Sequence, residues 1–306
     1  MTLSEEEERY EDKRILDHSS SEISTEDAAV LMETLMQEMR RGGYEFYTGT
    51  SYRHLLIHKF GSVVELTAPH DILTKRIGEY LPQDAVLREM METSYRILSN
   101  HPLNLERKAK GLNPANSVWF WGAGTRPMLT SFEEKYHKKG AMISAVDLLK
   151  GIAVGAGLDN IIVEGANGGL HTNYAGKAEA AVDALAAQDY DFVYVHIEAP
   201  DEMGHQGSIP DKIKAIENID QKIIGPIVGE LEDLCMDFRT LVLPDHPTPI
   251  CVRTHTGNPV PYLLYDSRKK AEGMPEYSER LGNKSPLFEK EGHRLLSRLF
   301  EMDNER

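Results

Sequence analysis

Five side chains that can bind metal lie next to three apolar runs of the sequence. The runs are 191–198, 239–243 and 259–265, and the first two end near Pro200 and Pro244. Short runs of β-branched and aromatic residues predict buried strands, and a proline at the end of a run prevents further ladder pairing. The five side chains are those of Asp201, His205, Asp245, His246 and His255. Ligands of open α/β sheets collect outside the carboxyl ends of the strands, so we expect a shared site there.

Carboxylates combined with imidazoles suit Mn, Zn or Fe better than Ca, which prefers oxygen ligands alone. Each pair also has a simpler interpretation. Asp201 and His205, four residues apart, could be an ordinary surface pair or a helix cap. Asp245 and His246 precede a proline, and such residues favour a turn. The conjunction of three such positions is what favours a metal site.

Several longer motifs around these residues resemble the cofactor-independent phosphoglycerate mutases. Residues 199–205 read Ala-Pro-Asp-Glu-Met-Gly-His, residues 243–249 read Leu-Pro-Asp-His-Pro-Thr-Pro, and residues 253–255 read Arg-Thr-His. The resemblance is to the shorter, archaeal-type branch of this family, within the alkaline phosphatase superfamily. It extends over nearly the whole chain and includes 51–54, 113–116, 132–136, 144–151 and 212–220.

The resemblance and the pattern of elements imply an α/β fold. We expect an alkaline-phosphatase-like, largely parallel sheet with helices on both faces, together with an α+β cap domain. Alternating helix, strand and turn signals after about Pro127 favour the parallel sheet. The predicted domains are a substrate-binding cap, 1–127, and a metal-binding domain, 128–306.

The activity that the resemblance implies is the interconversion of 2-phosphoglycerate and 3-phosphoglycerate through a phosphoserine. Two divalent metal ions would be needed, with Mn favoured over Zn or Mg. The resemblance implies that Asp201, His205 and His255 hold one ion. Asp245 and His246 would hold the other, together with an aspartate and the nucleophilic serine of the family's amino-terminal segment.

Three basic residues are candidates for binding a phosphorylated acid. The resemblance implies that Arg53 and Arg126 match cap arginines that contact phosphate and carboxylate, and that Lys135, in a similar Glu-Lys-Tyr context, matches a lysine near the transferred phosphoryl group. Arg126 and Lys135 are also the candidate catalytic cations. An arginine suits this task because its planar fork binds phosphate oxygens in pairs. The simpler interpretation of all three is an ordinary surface cation.

The sequence departs from the family pattern at its start. The family's opening strand with a metal-binding Asp, and its serine nucleophile, have no counterpart here, so Met1 is expected to lie inside an incomplete cap. We therefore expect the chain 1–306 alone to be inactive. The alternatives are a non-catalytic remnant that binds metal and a phosphorylated ligand, and another phosphatase or phosphotransferase of the superfamily.

Composition limits the partners. The formal net charge of −15 disfavours nucleic acid and anionic membranes, which leaves a small phosphorylated acid as the expected partner. Two cysteines are too few for a disulfide framework, and the amino terminus lacks a signal-peptide pattern, so a cytoplasmic location is expected. The oligomeric state stays open.

Other features have structural interpretations. Residues 1 to about 20 are strongly charged and predict a loop or frayed edge. The glycines of 165–169 predict a tight turn rather than a nucleotide-binding loop. His171 is expected in a solvated loop, and His196 is expected to contact the core or the sheet edge rather than the metal.

Overall fold

The structure is a computed structural model that describes residues 1–269 and 273–301. The chain divides into two compact units, Met1–Arg126 and Pro127–Arg306. Each unit has its own buried clusters of apolar side chains. The roles of cap and metal-binding domain remain predictions for these units.

The first unit combines helices with two antiparallel strand pairs. Strands β1 and β2 pair with each other, as do β3 and β4. In chain order the elements are β1 Thr2–Leu3, β2 Ile15–Asp17, α1 Thr25–Glu38, β3 Tyr44–Tyr47, β4 Leu55–His58, α2 Ala85–Leu98 and α3 Pro102–Ala109. Short 3-10 segments occur at Tyr10–Asp12, Pro69–Ile72 and Gly78–Tyr80.

Helix starts in this unit follow local capping chemistry. The Ser24 side chain accepts a hydrogen bond from the Asp27 N–H at 3.1 Å and begins α1. The Asp84 side chain accepts from the N–H groups of Val86 and Leu87, both at 2.9 Å, and begins α2. These side chains satisfy backbone donors that have no partner inside the helix.

The prediction that residues 1 to about 20 form a loop or frayed edge is wrong. Leu3 and Ile15 lie in a strand pair, both are 0% exposed, and they pack with Met91 in a buried cluster. The charged residues 5–8 form the connection between the two strands. Because charged residues dominate this segment, its overall composition does not reveal the few apolar side chains that enter the core.

The second unit contains a parallel sheet with helices, which confirms the α/β class. Strand β5, Gly140–Ile143, is central and fully buried, with β6, Asp159–Asn160, and β7, Phe192–Val195, parallel on either side. Strands β8, Arg239–Val242, and β9, Leu263–Asp266, form a separate antiparallel pair. The helices of this unit are α4 Phe132–Tyr136, α5 Asp147–Gly155, α6 Tyr174–Ala187, α7 Ala199–Gln206, α8 Ile209–Ile219, α9 Gly225–Asp233, α10 Glu279–Gly282 and α11 Arg294–Glu301.

Two predicted elements have different bounds because of proline. The sequence predicts one helix over 213–228, whereas the structure has α8 followed by a π-helical turn, Asp220–Ile224, and α9, with the Gly225 N–H bonded to the carbonyl of Asp220. Pro226 lacks an N–H and its ring crowds the preceding turn, which a wider turn accommodates. Likewise the run 259–265 becomes a strand only at Leu263, after two prolines that cannot donate to a ladder.

The sequence predicts that the apolar run 117–121 is buried, and only part of it is. Residues 117–121 have no strand assignment, and Trp121 is 48% exposed. Trp119 is partly buried and donates from its indole nitrogen to the Thr67 carbonyl at 2.8 Å. Among the helices of the described residues, none combines the length and the apolar character that a membrane crossing requires.

Candidate active site

Helix α7 positions the first two candidate ligands. It begins directly after the segment that follows β7, with Pro200 in its first turn, where the missing N–H costs no intrahelical bond. Asp201 and His205 lie four residues apart on this helix and therefore point from the same face. The sequence predicted that the chain leaves the sheet at Pro200, but β7 already ends at Val195 and Pro200 lies in the first turn of the helix.

Asp201, His205 and His255 bring two carboxylate oxygens and two ring nitrogens together. His205 Nε2 is 3.2 Å from Asp201 Oδ2 and 3.2 Å from His255 Nε2. His255 Nε2 is 3.3 Å from Asp201 Oδ1. Roughly 3.3 Å also separates adjacent ligands that each lie about 2.0–2.1 Å from a tetrahedral metal. The spacing of these donors therefore fits a divalent cation.

The backbone fixes the orientation of the His205 ring. Its Nδ1 lies 3.0 Å from the carbonyl oxygen of Arg253. A carbonyl only accepts, so Nδ1 carries the proton and donates, which leaves the lone pair of Nε2 directed at Asp201 and His255. A hydrogen bond of this kind on the outer nitrogen is typical of histidines that bind metal.

His246 lies against the same group. Its ring centroid is 3.7 Å from that of His255. Asp201, His246 and His255 each offer one ligand atom, and these atoms lie within 4.8 Å of one another. Asp245 is close to His246, with 3.3 Å between Oδ2 and Nε2, and its side chain is 68% exposed. The structure thus brings all five predicted ligands into one neighbourhood of the second unit, while their division between two ions remains a prediction.

The surroundings of the cluster shift several pKa values. Burial raises the pKa of Tyr194, and the negative charge of Asp245 adds to this effect. Burial lowers the pKa of His196, whose Nδ1 is 3.2 Å from the Ser144 hydroxyl. His196 therefore contacts the sheet edge and its neighbouring loop, as its position beside β7 predicted.

Three polar residues near the cluster were not singled out from the sequence. Thr248, only 4% exposed, hydrogen-bonds through its hydroxyl to Asp201, and its carbonyl accepts from Lys212 Nζ at 2.6 Å. Lys177, 1% exposed, donates from Nζ to the His196 carbonyl at 3.1 Å. For Thr248, the available signal was its position between two prolines in the motif 243–249. A lysine within an Ala-rich helix gave little indication of burial.

The candidate substrate cations are exposed. Arg53 and Arg126 belong to the first unit, and the Arg53 guanidinium lies 5.6 Å from the centroid of the Tyr52 ring. Lys135 lies on α4 of the second unit, with its ammonium 5.1 Å from the centroid of the Tyr136 ring. Their role in substrate binding remains a prediction.

Comparisons with known proteins show which proteins the chain is similar to. The profile of the Metalloenzyme superfamily matches residues 16–295. A 2,3-bisphosphoglycerate-independent phosphoglycerate mutase of Methanosarcina barkeri is 49% identical over 279 residues, which cover 88% of this chain and 70% of that protein. A probable mutase of the same name from Geobacter sulfurreducens is 42% identical, with 93% of this chain and 72% of that protein covered.

Solved structures show the same fold. A protein of Pyrococcus horikoshii matches with a TM-score of 0.75 and 28% identity, covering 96% of this chain and 73% of that one. The cofactor-independent phosphoglycerate mutase of Thermoplasma acidophilum matches with a TM-score of 0.55 and 23% identity, covering 98% and 74%.

The fold and the carboxylate–histidine cluster define a metalloenzyme, and the match over most of the chain places it in the Metalloenzyme superfamily. Several of its relatives come from methanogenic archaea, which agrees with the archaeal-type branch. Within that superfamily the chain belongs to the 2,3-bisphosphoglycerate-independent phosphoglycerate mutases, an isomerase family. The names of the relatives favour this reading over the non-catalytic remnant and over another phosphotransferase.

Proposed function

We propose that the second unit binds two divalent metal ions, with Mn²⁺ preferred, for the interconversion of 2-phosphoglycerate and 3-phosphoglycerate that its family catalyses. The convergence of Asp201, His205 and His255, with donor atoms 3.2–3.3 Å apart, is the observation that carries the metal proposal. Asp245 and His246 would hold the second ion. The mixed carboxylate and imidazole donors favour Mn or Zn over Ca.

When bound, such ions lower the pKa of a nucleophile and neutralise charge on a transferring phosphoryl group. The protein's own contribution is orientation. The Arg253 carbonyl holds His205 in the tautomer whose Nε2 can bind metal, and α7 places Asp201 beside it. A ring held in this way needs no reorganisation when metal arrives.

The proposed substrate is a small phosphorylated acid, 2-phosphoglycerate or 3-phosphoglycerate, which belongs to glycolysis. Because the chain has a net charge of −15, such an anion needs local positive charge. Arg53, Arg126 and Lys135 are the proposed cations, and Arg126 and Lys135 are also the proposed catalytic residues. A cytoplasmic location is proposed on the cysteines, Cys235 and Cys251, which are both free and exposed.

Equilibrium dialysis with Mn²⁺, followed by metal analysis, tests the metal proposal. We expect Asp201→Asn and His255→Ala to lose bound metal because each removes a donor from the cluster. His171→Ala is the matched control, since His171 is an exposed histidine of the same unit that the proposal leaves out. Equal metal content in Asp201→Asn and the unsubstituted protein would refute the site.

Calorimetric titration with 3-phosphoglycerate tests the cations separately. We expect Arg53→Ala, Arg126→Ala and Lys135→Ala to weaken binding while metal content stays unchanged, because phosphate contacts and metal ligands are separate groups. Arg96→Ala is the control, an exposed arginine of the first unit that bonds to Thr93. Loss of metal in the arginine variants would contradict this division.

Turnover tests the mechanism. We expect the chain 1–306 alone to form no 2-phosphoglycerate, because no serine in it has a motif that matches the family's nucleophile. This expectation stays a prediction. The assay supplies Mn²⁺ and 3-phosphoglycerate and follows product by coupled enolase reaction. Turnover at stoichiometric metal would show that another residue of the chain serves as the nucleophile.

A further inference from the structure

We infer that Thr248 is a positioning residue that connects the two groups of metal ligands through its hydroxyl. This inference rests on the proposed metal-binding function. The hydroxyl bonds to Asp201 Oδ1, and the same oxygen lies 3.3 Å from His246 Nδ1. Asp201 belongs to the first proposed ion and His246 to the second, so one buried oxygen contacts a ligand of each.

The chemistry of the three groups determines the direction of both bonds. An ionised carboxylate only accepts, so the single proton of the Thr248 hydroxyl is donated to Asp201. The hydroxyl oxygen then has only lone pairs to offer to His246, whose Nδ1 must donate. In its neutral form His246 is therefore held with its proton on Nδ1 and a lone pair on Nε2.

His246 Nε2 faces the remaining ligand of its group, 3.3 Å from Asp245 Oδ2. His205 is oriented in the same sense, by the Arg253 carbonyl rather than by a side chain. Both histidines are thus presented to the cluster through Nε2. In one case the backbone sets the tautomer, and in the other Thr248 sets it.

Thr248 is itself held firmly in place. Lys212 on α8 donates to its carbonyl at 2.6 Å. Gly204 on α7 lies against it, since a Cβ at Gly204 would come 2.6 Å from the Thr248 carbonyl oxygen and 3.0 Å from its methyl group. Any larger residue at 204 would displace the threonine. This close approach lets a short side chain reach both Asp201 and His246.

Thr248→Val preserves the shape of the side chain and removes the hydroxyl, whereas Thr248→Ser keeps the hydroxyl. Loss of an outer hydrogen-bond partner of a metal ligand costs about 10–100-fold in metal affinity. We expect the valine variant to bind Co²⁺ about 10–100-fold more weakly. The serine variant should stay close to the unsubstituted affinity.

The control is Thr34→Val. The Thr34 hydroxyl also lies near a histidine ring nitrogen, 3.2 Å from His101 Nε2, but it belongs to the first unit. This variant makes the same chemical exchange at a threonine–histidine contact that no proposed ligand shares. We expect its Co²⁺ affinity to be unchanged.

A second readout needs no metal. Long-range ¹H–¹⁵N spectra of the metal-free protein report which ring nitrogen of His246 carries the proton. We expect the Nδ1–H form in the unsubstituted protein and in Thr248→Ser. Thr248→Val should show a mixture of both tautomers.

An unchanged tautomer and unchanged Co²⁺ affinity in Thr248→Val would overturn the inference. So would a serine variant as impaired as the valine variant. If circular dichroism shows that the valine variant does not fold, Thr248→Ala replaces it with the same expected results. If the unsubstituted protein binds no metal, the proposed function fails, while the tautomer of His246 still decides the role of Thr248.

Discussion

Replacing Asp266 with Asn should destabilise the strand pair from which the metal-ligand loop emerges. Asp266 on β9 lies directly opposite Arg239 on β8 in the strand register, and its side chain is 3% exposed. Its carboxylate accepts from Arg239 Nε at 3.0 Å and from Arg268 Nε and Nη2, both at 3.0 Å. The loop 243–262, which joins these strands, carries Asp245, His246 and His255.

The magnitude follows from the bonds that are lost. Hydrogen bonds to charged groups contribute about 1.5–3 kcal/mol each, and Asn keeps one acceptor oxygen while turning an NH₂ group toward a guanidinium. We expect the free energy of unfolding of the second unit to fall by about 2–3 kcal/mol. For a unit of this size each kcal/mol corresponds to about 2–4 °C, so the Tm should fall by about 4–12 °C.

The effect should depend on pH in a defined direction. Hydrogen bonds from Arg268 and Arg239 hold the pKa of Asp266 well below its usual range. A depressed carboxyl pKa contributes stability above the unfolded-state pKa of about 4, and this contribution is lost as pH falls through the lower folded-state value. The difference between the two proteins should therefore be constant from about pH 5 to 8 and shrink below about pH 4.

Urea unfolding followed by far-ultraviolet circular dichroism measures the change. The only two tryptophans of the sequence, Trp119 and Trp121, belong to the first unit, so tryptophan emission reports that unit separately. Asp237→Asn is the matched control, an exposed aspartate two residues before Arg239. A loss below 0.5 kcal/mol, roughly the scale of ordinary surface substitutions, would refute the reasoning.

Two further substitutions test the fold. Asp84→Ala removes the cap of α2 and should lower the free energy of unfolding by about 1 kcal/mol, measured by tryptophan emission in urea, with no change in metal content; an unchanged midpoint would contradict the cap. Lys177→Met keeps the buried stem but loses the bond to the His196 carbonyl, at a net cost of about 1–2 kcal/mol near neutral pH. Because burial lowers the pKa of Lys177, the unfolded state binds more protons than the folded state at alkaline pH. The loss in free energy of unfolding caused by Lys177→Met should therefore grow as pH rises toward about 10.4. A loss that shrinks instead would show the opposite pKa shift.

Local patterns predicted what local interactions decide. The sequence predicts a strand over 44–47, and the structure has it with these bounds, because an aromatic-rich stretch between glycines needs no distant partner to be recognised. The four-residue spacing of Asp201 and His205 was likewise visible in the sequence, although the helix that makes it useful was not. The resemblance of whole motifs supplied the family, which the spacing alone would have left open.

The features that the sequence did not predict depend on contacts between distant residues. The burial of Leu3 and Ile15 requires packing against Met91, far along the chain. The antiparallel pairing of β8 with β9 across a long loop has no local signal. The role of Thr248 depends on a loop hydroxyl reaching Asp201, which lies on helix α7. Such contacts are properties of the folded chain.

Arg253 shows how a backbone conformation can constrain sequence drift at a position whose side chain binds no metal. Its φ is 57°, the left-handed region, which costs a non-glycine residue about 1–2 kcal/mol. Its carbonyl nevertheless sets the tautomer of His205. Glycine or asparagine could present the same carbonyl without that cost, whereas a β-branched residue would resist the conformation. Among homologous chains, we therefore expect position 253 to hold residues that tolerate the left-handed backbone conformation, whatever their charge.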